Sequence, residues 1–110
     1  MSLGSLSPMA GQGEAAVIVA RHYVVAGRVQ GVGYRFFARA AATREGLSGF
    51  VRNRGDGHVE VEVEGEHDAL TRFERVLHEG PLSGRVDQVS VTEILPGASS
   101  TGFHIVADVD

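Results

Sequence analysis

Cysteine and lysine are both missing from this chain, and each absence closes a branch of chemistry. With no cysteine among 110 residues, disulfides, cysteine-ligated zinc, iron–sulfur clusters and a thiolate nucleophile are excluded. All ten basic residues are arginine. Without lysine there is no Schiff-base chemistry and no Walker A phosphate lysine. No apolar run approaches the roughly 18 residues of a membrane-spanning helix. Basic residues are also outnumbered, 10 against 14 acidic, for a formal charge of -4 and a pI near 5.7. That balance argues against nucleic-acid binding, which needs a basic footprint. What is present, 43% hydrophobic and 22% charged residues, suits one small domain. The expectation is a cytoplasmic monomer with no membrane and no nucleic-acid partner.

Residues 1–16 are rich in Ser, Gly and Ala without apolar periodicity, so a flexible leader is expected there, with Met9 as an alternative start. The folded domain is expected over 17–110. Val17 to Gly27 has the composition of a central strand. Gly27 to Gly33 carries three glycines in seven residues, a loop signal. Tyr34 to Glu45 follows as a helix, with Phe37, Ala40, Ala41 and Arg44 on one stripe and Gly46 as its left-handed cap. Leu47 to Asn53 reads as a strand, and Arg54-Gly55-Asp56-Gly57 as a tight turn. Val59, Val61 and Val63 alternate with Glu60, Glu62 and Glu64, one face buried and one wet. Ala69, Leu70, Phe73, Val76 and Leu77 predict a second amphipathic helix, stopped by Gly80-Pro81. Val86 to Ile94 and Gly102 to Ala107 complete the strands. The order β-α-β-β-α-β plus a terminal strand predicts an α+β, ferredoxin-like sandwich: an antiparallel sheet with both helices on one face.

The informative stretch is Gly27-Arg28-Val29-Gln30-Gly31-Val32-Gly33-Tyr34-Arg35. Backbone N–H groups in such a loop can converge into an anion nest. The helix start at Tyr34 adds its positive dipole end. Arg35 in the first turn can fork two donors onto a phosphate or carboxylate. The loop is not a dinucleotide GxGxxG, because Gly31-x-Gly33 lacks the third glycine.

This loop resembles the signature of the acylphosphatases, and Gly49-Phe50-Val51-Arg52-Asn53 is similar to that family's second signature. The similarity runs over about Arg21 to Val106, nearly the whole domain. It implies hydrolysis of small-molecule acyl phosphates to carboxylate and inorganic phosphate, without metal or organic cofactor. It implies that Arg35 grips the phosphoryl group, that the backbone of Gln30, Gly31, Val32, Gly33 and Tyr34 cradles it, and that Asn53 orients the attacking water. An acidic extension, Ala107-Asp108-Val109-Asp110, follows the usual family end.

Other candidates have plainer readings. The histidines 22, 58, 67, 78 and 104 show no metal-ligand spacing. Glutamates 60, 62 and 64 read as a solvated sheet face, and Phe36, Phe37, Phe50, Phe73 and Phe103 as core. Two further functions stay open at the level of sequence. One is an accessory phosphate- or carbamoyl-phosphate-binding module with little turnover. The other, a nucleic-acid-binding domain, is disfavoured by the carboxylate face.

Overall fold

The computed structural model describes residues 17–97 and 101–110; the leader expected at 1–16 lies outside them. The elements run β1 (Ile18–Arg28), α1 (Tyr34–Arg44), β2 (Ser48–Asn53), β3 (Val59–Glu66), α2 (His67–Glu79), β4 (Arg85–Ile94) and β5 (Phe103–Ile105). They form one sheet in the order β4-β1-β3-β2-β5, the expected ferredoxin-like plan. The first four strands pair antiparallel, and β5 joins the β2 edge in parallel.

Alternation does most of the folding work. On β3, Val59, Val61 and Val63 are fully buried beneath the helices. Tyr23 and Val25 of β1 and Val51 of β2 join them, capped by Ala38, Ala41 and Ala42 of α1 and by Leu70, Phe73 and Leu77 of α2. Full burial of each large side chain contributes about 1.5–3 kcal/mol. The opposite face is less solvated than its composition suggests. Glu60 accepts from Arg52 Nε at 2.8 Å and lies 2.7 Å from His22 Nε2. Burial alone would raise its carboxyl, but the Arg52 and His22 hydrogen bonds outweigh this and hold it below the ordinary glutamate value.

Three expectations need correction. The buried stripe of α1 is Tyr34, Ala38, Ala41 and Ala42, while Ala40 and Arg44 are exposed. The stripe is rotated because Tyr34 points inward, its hydroxyl donating to the Leu77 carbonyl at 2.7 Å. That rotation turns Phe36 outward, where it is 59% exposed with the Arg39 guanidinium over its ring. Phe50 is also not core: it lies half-buried on the open sheet face, stacked by Arg52. Gly46 does cap α1 in the left-handed conformation, φ 72°. Its N–H donates to Thr43 and that of Leu47 to Ala42, a Schellman closure.

Candidate active site

The loop between β1 and α1 is anchored by side chains that face away from solvent. Val29 is buried, and Val32 packs on the core while its carbonyl accepts from Ser83 Oγ at 2.9 Å. Tyr34 is buried as described. With these side chains turned inward, the peptide groups between them form the outer surface. Gly31 and Gly33 have φ of 75° and 81°, and a Cβ at either would meet nothing within 4 Å. They are therefore glycine for conformation and not for lack of space, and a left-handed backbone of this kind can turn successive N–H groups to one side. Gly33 is also the N-cap of α1, so no side chain caps the helix and no acidic residue sits in its first turn. Helix N–H groups left without a side-chain acceptor, at the positive end of the dipole, suit an anion.

Arg35 projects from that first turn, one third exposed, and its Nη1 lies 3.4 Å from Asp108 Oδ1. The sequence shows the acidic extension but carries no signal that places it. In the fold, residues 106–110 continue alongside β2. Val106 N–H donates to the Val51 carbonyl, Val109 N–H to the Asn53 carbonyl, and Gly55 N–H to the Val109 carbonyl. Consecutive tail residues thus touch Arg35 through a side chain and Asn53 through the backbone, so both residues border one corner of the molecule.

Asn53 ends β2, and its Oδ1 is buried without a hydrogen-bond partner among the described residues. A buried acceptor left unpaired costs about 1–3 kcal/mol, and native folds rarely retain one without a use. Gln30, expected in the cradle through its backbone, has a side-chain role as well. Its Nε2 donates to the carbonyls of Arg54 (2.8 Å) and His58 (2.9 Å). The sequence offers no signal for this, since the partners are 24 and 28 positions away. Arg54 is paired with Asp56 at 2.8 Å. A well-marked hollow, lined by Thr43, Gly46, Leu47, Ser48, Thr101, Gly102 and Phe103, lies at the opposite ends of α1 and β2 and, among the described residues, is lined by no titratable group. Among the described residues no three His, Asp or Glu side chains converge as metal ligands.

A ferredoxin-like sandwich with an uncapped, glycine-bent helix entrance and an arginine in its first turn defines an α+β domain whose entrance suits an anion. Comparison with known proteins narrows the class. The acylphosphatase family model matches residues 21–105. The acylphosphatase of Koribacter versatilis is 46% identical over 85 residues, covering 77% of each chain. A crystal structure of acylphosphatase from Bacillus subtilis has a TM-score of 0.78 at 39% identity, covering 80% of this chain and 98% of that one. Full-length HypF in a phosphate- and nucleotide-bound form is similar over 86% of this chain but only 12% of its own, with TM-score 0.78 and 34% identity. The chain belongs to the acylphosphatase family.

Proposed function

We propose that Arg35 and the 30–34 backbone hold the phosphoryl group, and Asn53 the attacking water, as this chain hydrolyses the carboxyl–phosphate bond of acyl phosphates. That hydrolysis is the activity of the family to which the chain belongs. The observation that carries the residue assignment is the orphaned Oδ1 of Asn53, which suits a water donating to it.

The chemistry asks little of the protein beyond placement. A carboxylate is already a good leaving group, so no strong general acid is required. The water oxygen attacks phosphorus as the bond to the acyl oxygen breaks. The electron pair leaves with the carboxylate, and a phosphate oxygen takes the water's proton. Asn53 has no useful pKa and acts by holding the water in line. Arg35 offers a planar fork to charge that stays on the phosphoryl oxygens throughout, so positioning and electrostatics supply the rate.

The test is release of phosphate from benzoyl phosphate by the wild type and by Arg35→Lys, with inorganic phosphate as competitive inhibitor. Turnover by the wild type that persists undiminished in Arg35→Lys would overturn the role given to Arg35. The reading extends to a monomer in the cytoplasm, supported by a composition of 22% charged residues without cysteine. Sedimentation at micromolar concentration and cell fractionation check those two points.

A further inference from the structure

The cradle follows β1 and Asn53 ends β2, but these two strands do not pair: β3 lies between them. At about 4.8 Å per strand, the two halves of the site stand about 10 Å apart across the mouth of the sheet. Their mutual placement must be held to a fraction of that distance, because in-line attack tolerates little error. The sheet ladder fixes β1 and β2 to β3, and the tail pairs with Arg54 and Gly55, yet neither ties the turn that follows Asn53 to the loop after β1.

Among the described residues, one side chain bonds this loop to this turn. Both donations of Gln30 Nε2 go to the Arg54–His58 turn, which begins at the residue after Asn53. The turn is already closed by its own bonds, Arg54 N–H to the His58 carbonyl and Gly57 N–H to the Arg54 carbonyl. Each carbonyl has a second lone pair, and the Gln30 carboxamide fills both. Gln30 is therefore not needed to form the turn. It ties a preformed turn to the loop.

We propose that Gln30 is a positioning residue for the hydrolysis: its carboxamide fixes the cradle relative to Asn53, setting the line between held phosphate and held water. This rests on the assignment of Asn53 to the water. Gln30→Met preserves length and removes both donors, while Arg35 and the loop N–H groups keep their own geometry. On benzoyl phosphate it should lose about 10- to 100-fold in kcat, a loss of the kind a misplacement near 1 Å produces. The inhibition constant of inorganic phosphate should move less than about three-fold, since neither half of the site is itself damaged.

The decisive measurement is a double-mutant cycle. If Gln30 acts by aligning the water on Asn53, then in the Asn53→Ala background Gln30→Met should cost less than about three-fold. Fully additive losses, an unchanged kcat, or a phosphate inhibition constant that rises as far as kcat falls would each overturn the proposal. Should Gln30→Met fail to fold by circular dichroism, Gln30→Asn, which keeps the amide but falls one methylene short, carries the same cycle, and the same outcomes support or overturn the role. Failure of the underlying reading is distinguishable. Asn53→Ala at the wild-type rate overturns the assignment of the water and this proposal with it. An inactive Asn53→Ala beside a fully active Gln30→Met overturns this proposal alone.

Discussion

Two walls meet at Arg35, and they are built from opposite materials. One is the Gly27–Gly33 loop with the first turn of α1, a surface of backbone N–H groups held by inward side chains, within the span 21–105 that matches the family. The other is the tail 106–110, which lies beyond that span and brings Asp108 to within 3.4 Å of Arg35 Nη1. The first wall carries the positive end of the α1 dipole, with no acidic residue in the first turn to offset it. The second places a carboxylate on the same guanidinium. What the difference teaches is that a site can be assembled by one segment and tuned by another with no sequence relation to it.

The sharpest way to break the comparison is to remove the group both walls share. Arg35→Lys should cut kcat for benzoyl phosphate on the order of 10²-fold or more and raise KM, because a point charge cannot reproduce the fork. Circular dichroism should be unchanged, since Arg35 fills no part of the core. A lysine variant within ten-fold of the wild type would mean that the loop N–H groups alone hold the phosphate. Next in size is Asn53→Ala, expected to lose about 10- to 100-fold in kcat while the inhibition constant for phosphate stays within about two-fold. If phosphate binding weakens as much as turnover, Asn53 belongs to the cradle wall and not to the water.

The loop wall itself is tested by Gly33→Ala. A Cβ has room there, so any effect is conformational, and a left-handed alanine costs about 1–2 kcal/mol. The melting temperature should fall by roughly 4–16 °C, taking about 4–8 °C per kcal/mol for a domain of 60–100 residues. If the backbone escapes the strain by turning its N–H outward, phosphate affinity falls as well. An unchanged melting curve and unchanged affinity would show that the bend at Gly33 is not what aims the loop.

How much of this is legible in the sequence follows from how local each feature is. The Val59–Glu64 alternation is readable because β3 is interior to the sheet and covered on one face. The loop is readable because glycine spacing and a following helix start are short-range signals. The buried stripe of α1 departs from the expected one because a Phe37-based stripe and a Tyr34-based stripe differ only in which residue finds a partner on α2. Val86 and Val89 both pack on the core, although three positions apart on one strand. The register shift opposite Ala26 and Gly27 that allows this has a single marker in the sequence, Gly27, whose positive φ and close approach to the Arg85 backbone suit glycine. The Gln30 clasp and the Asp108 contact span 24 to 73 positions, and only the fold brings those ends together.

The smallest effect is the one that sharpens the comparison most. On the proposed assignment, Asp108 and a phosphate oxygen draw on the same guanidinium, so the tail carboxylate is expected to compete with substrate. The pair is open to water, with Asp108 63% and Arg35 34% exposed. An exposed ion pair contributes about 0–1 kcal/mol, which bounds the competition at about five-fold in affinity. Asp108→Asn keeps size and the backbone bonds of Val109 but removes the charge. It should therefore lower KM and the phosphate inhibition constant by a common factor of about two to five, with kcat little changed. The gap between variant and wild type should close at high ionic strength, since at about 1 M salt the screening length is about 3 Å. Deleting residues 107–110 would not isolate this effect, because it also removes the Val109 bonds to Asn53 and Gly55. The discriminating outcome is the sign of the affinity change. A tighter phosphate complex in Asp108→Asn makes the tail a competitor for Arg35, and a weaker one makes it a support that holds the arginine ready.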